Sequence, residues 1–161
     1  GDVLTATHRL AHILSKLNRK AVRYTCTTPG DAREADCLLI DCFGLLSGIY
    51  RYGDVAYVGG GFGVGIHNVL EAAVWGVPVI FGPNNRRFQE AQGLFAAQGG
   101  FEIDDYASFE HTMRRFIDDS SIRQEAGTRA STFVSSLAGA TETIFDNVFP
   151  AGNQSPLNKG I

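Results

Sequence analysis

Three polar side chains, His67, Asn68 and Glu71, follow a run of glycines in the stretch GGGFGVGIHNVLEAAVWG, residues 59 to 76. Glycine inside structure is costly, because it loses more backbone freedom on folding than any other residue. A loop so rich in it needs positive φ angles or a backbone that something approaches closely. Where such a loop opens a helix, its free N–H groups and the helix's positive end favour a phosphate or carboxylate. The competing reading is a tight strand-to-helix turn with no ligand. Asn68 and Glu71 are three apart and share a helix face, and Glu71 lies four after His67. A carboxylate there is either a dipole partner of the helix or an acceptor for vicinal sugar hydroxyls, as in dinucleotide folds. Glycines for phosphate and a carboxylate one turn later for a ribose make a nucleotide-shaped site. The loop is not a Walker motif, having no Gly-Lys-Ser/Thr. It also fails the G-x-G-x-x-G fingerprint, since Val64 stands where the third glycine belongs.

The elements that must hold this site alternate. Strands are expected at 1–7, 21–26, 37–41, 54–60 and 77–82, with a short edge strand in Phe101-Glu102-Ile103. Helices are expected at 9–19, with Leu10, Ile13, Leu14 and Leu17 at helical spacing, and at 44–52, 66–75, 87–98, 106–117, 120–136 and 138–149. Residues 27–36 read as a loop around Pro29-Gly30. Gly76 stops the helix before it and Pro78 follows at once. The strands are apolar throughout rather than alternating, the mark of a parallel sheet covered on both faces. The fold class is therefore α/β: a single Rossmann-like domain over 1–149, with a mostly parallel sheet of about five or six strands flanked by helices. Residues 150–161 are polar and turn-rich and read as a flexible tail.

Composition narrows the function. With 161 residues, 44% of them hydrophobic, the chain can bury one core. A net charge of −3 gives no nucleic-acid footprint. No apolar run is long enough to span a bilayer. Cys26, Cys37 and Cys42 have no partners at metal-ligand spacing and read as reduced, buried thiols. No Asp-x-Asp or His/Asp cluster suggests a metal, and no cofactor is expected.

The run DCFGLLSGIYRYGDVAYVGGGFGVGIHNVLEAAVWGVPVIFGPN, residues 41–84, resembles the C-terminal half of the 3-deoxy-D-manno-octulosonic acid (Kdo) transferases, inverting glycosyltransferases of the two-domain GT-B architecture. The residues that carry the likeness are Asp41, Gly44, Leu46, Tyr50, Val58-Gly59-Gly60, His67-Asn68, Leu70-Glu71 and Gly76 to Pro83. The sequence departs from the family pattern at Thr7-His8, Ile66, Asn84 and Arg87-Phe88. The resemblance implies a donor-binding domain of a larger enzyme, with CMP-Kdo as donor. It implies a lipid A precursor as acceptor, bound through an N-terminal domain that also carries the catalytic base and the membrane-associated segment. Those parts place the full enzyme at the cytoplasmic face of the inner membrane, in lipopolysaccharide biosynthesis. No catalytic residue is expected in this chain. Gly60, Gly61, Phe62 and Gly63 should offer N–H groups to the donor phosphate, with His67 as a further donor. Asn68 and Glu71 should hold the ribose. Phe43, Gly44 and Leu46 should flank the cytosine, His8 the base or phosphate, and Arg86 and Arg87 the sugar carboxylate. Another GT-B transferase, a UDP-sugar epimerase domain and a non-catalytic nucleotide-binding module remain the alternatives.

Overall fold

A computed structural model describes residue 16 and residues 19–148, with side chains as far as residue 138. The expected strand at 1–7, nearly all of the helix at 9–19 and the tail at 150–161 lie outside the described residues. The chain divides into two compact units, residues 1–46 and 47–161.

In the first unit, β1 (Ala21–Arg23) pairs in parallel with β2 (Cys37–Leu39), Val22 opposite Leu38. Residues Tyr24–Cys26, expected as strand, wind into a 3₁₀ turn instead. The loop expected at 27–36 contains a short helix, α1 (Pro29–Arg33). Thr28 caps it, its Oγ1 accepting from the Asp31 N–H at 3.2 Å, and Pro29 stands at the first turn, where its missing N–H costs nothing. Asp41, just past β2, ties the two strand ends together. Its carboxylate accepts from the Thr25 hydroxyl (2.7 Å), the Thr25 N–H (3.0 Å) and Arg23 Nε (2.7 Å). The Thr25 hydroxyl bond leads in holding the Asp41 pKa down to about 2; the Thr25 N–H and the Arg23 guanidinium lower it further, against the raising effect of burial. All three cysteines are free. Cys26, on the 3₁₀ turn, is exposed and the other two are half-buried, so none is buried as expected.

The second unit opens on α2, which runs from Leu46 at the unit boundary to Ile49, followed by a 3₁₀ turn at Tyr50–Tyr52. Its sheet holds β3 (Ala56–Val58), β4 (Val79–Phe81) and β5 (Gly100–Glu102), parallel and in that order. Ala56 faces Val79, and Val79 faces Gly100. Val79, Ile80 and Phe81 are all fully buried, as a central parallel strand covered on both faces requires. One face carries Val58, Val79 and Phe81 against Ala72, Ala73, Ala91, Leu94 and Ala130. The other carries Ile80 and Ile103 against Phe116 and Ala126. The helices are α3 (Leu70–Ala73), α4 (Gln89–Ala96), α5 (Tyr106–Asp118) and α6 (Ser120–Val148). Most elements are shorter than expected, and two differ by more than a trimmed end. The helix expected at 66–75 begins only at Leu70, and the last two expected helices are one, α6. Asp105 and Ser108 form a reciprocal capping box at the start of α5, and these bonds hold the Asp105 carboxyl below its usual range.

Candidate functional site

Parallel strands place their C-terminal ends on one edge of the sheet, and the loops there form the site. The first is the glycine loop after β3. It closes on itself: the Gly63 N–H donates to Gly60 O (2.9 Å), the Gly65 N–H to the same oxygen (3.3 Å) and the His67 N–H to Gly59 O (3.2 Å). The second is the loop after β4, residues 82–88. Asn84 joins the two, its N–H donating to Gly61 O at 2.8 Å and its Nδ2 to Gly63 O at 2.7 Å.

The glycines now separate by cause. Gly60 has φ +93°, and a Cβ there would strike the Gly65 carbonyl. A Cβ on Gly61 would lie 2.6 Å from Gly82 N, so the two loop backbones are in direct contact. A Cβ on Gly65, at φ +146°, would fall 2.8 Å from the Phe88 ring. These three glycines are demanded by the fold itself. Gly59 and Gly63 are not: nothing lies within 4 Å of a Cβ at Gly59, and at Gly63 only Gly60 O does, at 3.6 Å. Gly63 is instead on the wall of an open cleft of about 680 Å³, with Val64, Pro83, Asn84, Arg86 and Arg87. That volume suits a small ligand. Two guanidinium groups on an otherwise uncharged wall favour an anion.

Of the four residues expected to offer backbone donors, Gly63 has its N–H engaged within the loop. The N–H groups of Gly60, Gly61 and Phe62 meet no acceptor among the described residues, and Gly61 is buried against Gly82. His67 and Asn68 are exposed and precede α3 rather than belonging to it. The reason is local: Asn68 Oδ1 accepts from the Leu70 N–H at 3.0 Å, a turn that starts the helix later. Asn68 Nδ2 then donates to Glu71 Oε1 at 3.2 Å. The two expected sugar ligands are thus paired, though not through a shared helix face. His67 and Asn68 line a smaller recess of about 340 Å³ with Phe88 and Glu90, whereas Arg86 and Arg87 line the larger cleft. Glu71 is half-buried near Tyr50, whose phenol is pushed up by burial and then by the Glu71 charge. With only one turn in α3, the helix dipole supplies little of the field at the loop.

Phe43, Gly44 and Leu46 belong to the first unit. Phe43 is wholly exposed, which removes a core role, Gly44 turns the chain at φ +87° and Leu46 is 55% exposed. His8 lies outside the described residues. Asn84 and Val64 are site-wall residues that sequence reasoning did not reach. A pair of asparagines directly after Gly82-Pro83 at a strand end was the available signal. Among the described residues, no three His, Cys, Asp or Glu side chains are grouped so as to hold a metal ion.

Fold and loops together define a Rossmann-like α/β protein with a glycine loop beside a cleft that two arginines line. Comparison with known proteins then makes the class particular. No family model matches the chain. The 3-deoxy-D-manno-octulosonic acid transferase of Aquifex aeolicus is 42% identical over 72 residues, 44% of this chain and 20% of that protein. The transferase of Chlamydia pneumoniae is 33% identical over 100 residues, 60% of this chain and 23% of that one. That of Bordetella pertussis is 32% identical over 113 residues, 69% of this chain and 26% of that one. The crystal structure of the C-terminal CMP-Kdo binding domain of WaaA from Acinetobacter baumannii superposes with a TM-score of 0.69 at 21% identity, covering 79% of this chain and 67% of that one. The chain is a sequence relative of the Kdo transferases and shares the fold of that C-terminal domain of WaaA. It spans 20 to 26% of the length of these three curated relatives.

Proposed function

We propose that this chain is the donor-binding part of a Kdo transferase, taking CMP-Kdo in lipopolysaccharide biosynthesis. The observation that carries the proposal is the cleft where two strand-end loops meet: a glycine with no steric reason to be one, beside two arginines, in a chain related to these enzymes. In this reading the N–H groups of Gly60, Gly61 and Phe62 and the Arg86 and Arg87 guanidiniums face the donor's phosphate and carboxylate. Gly63 supplies room rather than a donor. Asn68 and Glu71, already hydrogen-bonded to each other, turn to the ribose, with His67 beside them. Phe43, Gly44, Leu46 and His8 are kept for the cytosine end. We take 1–149 as one donor domain and 150–161 as its tail.

Chemically, such a half stabilises the CMP leaving group as negative charge develops on it. The base that deprotonates the lipid A precursor hydroxyl comes from a separate N-terminal domain, which also brings the enzyme to the cytoplasmic face of the inner membrane. No helix among the described residues is long and apolar enough to cross a membrane. The isolated chain is therefore expected to bind donor without transferring Kdo.

Calorimetric titration of the 161-residue chain tests the proposal. CMP should saturate one site and compete with CMP-Kdo, with UMP and UDP weaker. Preference for a uridine nucleotide would move the chain to another GT-B transferase or a UDP-sugar epimerase. Absence of any nucleotide binding would leave the glycine loop as a structural turn.

A further inference from the structure

Asn85 is the one polar side chain in the fully buried set of the described residues, at 0% exposure. It sits in the second site loop, between Asn84 and Arg86, both of which line the cleft. Its Nδ2 donates to Gly82 O at 2.9 Å and to Glu102 Oε2 at 2.5 Å, and its Oδ1 accepts from Gln92 Nε2. The amide orientation is fixed by this set, because a flip would turn the oxygen onto two acceptors. The bond to the Glu102 carboxylate is charge-assisted and belongs to the stronger kind. On the main chain, the Asn85 N–H donates to Pro83 O and its carbonyl accepts from the Phe88 N–H, both at 2.9 Å. The loop is thus wound around one buried amide that reaches the ends of β4 and β5 and the body of α4. Nothing about packing demands an amide there. An apolar side chain would avoid the cost of burying polar atoms.

We infer that Asn85 is a positioning residue: the Glu102–Asn85–Gln92 relay fixes the loop so that Arg86 and Arg87 present a preset grip for an anionic group of the ligand. The anion is a phosphate or a sugar carboxylate, which share the chemistry a guanidinium reads. Preorganisation of this kind raises affinity by removing the cost of ordering two long side chains on binding. The inference rests on the nucleotide-sugar reading of the cleft.

Its test uses the whole chain, with CMP and free Kdo as separate probes in calorimetric titrations. Asn85→Asp puts a second carboxylate against Glu102 and should weaken at least one probe tenfold or more. Asn85→Asp combined with Glu102→Gln restores the bond between the two positions with its polarity reversed, though not the one to Gly82 O, and should recover part of the loss. Glu102→Ala, at an exposed position that leaves the core intact, should weaken the same probe about threefold to tenfold, and it keeps the inference testable if Asn85→Asp does not fold. Loss confined to CMP names the phosphate as the gripped anion, and loss confined to Kdo names the carboxylate. In a background of Arg86→Ala and Arg87→Ala, Asn85→Asp should change neither affinity more than twofold, since its effect runs through those arginines. A purely structural Asn85 would weaken binding equally in both backgrounds, and that equality overturns the inference. So does a Glu102→Ala chain that binds both probes as tightly as wild type. Failure of the wild-type chain to bind either probe would sink the nucleotide-sugar reading itself, and this inference with it; retained wild-type binding with indifferent variants sinks only the latter.

Discussion

Glu71 has one hydrogen-bond partner already, the Asn68 amide at 3.2 Å. A side chain held this way is ready to accept from a ligand, because its second oxygen is unengaged by any hydrogen bond among the described residues. Glu71→Gln keeps the shape and removes the charge. As a ribose ligand it should lose about 1.5–3 kcal/mol of CMP affinity, the range for hydrogen bonds to charged groups, or about ten- to a hundredfold. As a mere dipole partner of a one-turn helix, the change should leave titrations unaltered. Calorimetry on both proteins decides between these. Asp41 makes a prediction of a different kind. Its folded pKa, about 2, lies below the ordinary carboxylate value. A depressed pKa means its stabilising contribution is whole above about pH 4 and is lost as pH falls through the folded value. Thermal unfolding from pH 5 to pH 2 should therefore show a steeper acid loss in the wild type than in Asp41→Asn, which has no proton to take up. Parallel curves would remove Asp41 from the acid response. At this scale the sequence was legible in residue type and misleading in cause. The glycine loop announced itself, yet Gly61 is glycine because Gly82 presses on it. A contact between loops twenty residues apart leaves no local trace. The pair Asn84-Asn85 was visible, but the burial of Asn85 was not, since it depends on neighbours that only folding brings near.

Elements were legible where apolar pattern and length agreed, as for β3, β4, α4 and α5. The boundaries that moved did so for nameable reasons. Asn68 delays α3 by bonding the Leu70 N–H. Thr28-Pro29 was a cap followed by a first-turn proline, a helix start that the Pro-Gly pair disguised as a turn. Residues 120–136 and 138–149 were read as two helices, whereas residues 120–148 form one, α6; a glycine inside a long helix costs only about 1 kcal/mol and is carried by the rest. Another glycine of α6, Gly127, tests the packing directly. An interior helical Gly→Ala change ordinarily gains about 0.5–1 kcal/mol. Here the new methyl would strike the Gly76 carbonyl, where the chain turns at φ +71°. Gly127→Ala should instead cost about 1–3 kcal/mol, the range for overpacking. Urea unfolding measures it, and a stabilised variant would show that α6 can back away from the Gly76 turn.

For the molecule as a whole, the α/β class and the parallel pairing were legible because the elements alternate and the central, doubly covered strand β4 is apolar along its whole length. The division at residue 46 was not, since no linker composition marks it. The sheet of the second unit pairs its strands in the order they occur in the chain, with β4 between its two sequence neighbours. Each pairing closes only one short crossover, so the chain entropy to be lost before contacts form is small. Parallel pairing across crossovers is slower than local helix packing and faster than all-β assembly, and a mixed α/β unit of this type should refold on a timescale of about milliseconds. The protein carries its own reporter for this. Trp75 is the only tryptophan, and it lies in the second unit with its indole N–H bonded to Ser47 O at 2.6 Å and Arg51 over its ring. Stopped-flow fluorescence after dilution from urea therefore watches that unit alone, and it should record one fast exponential. A dominant phase lasting seconds would mean that the glycine-loop half waits for the rest of the chain before it can close.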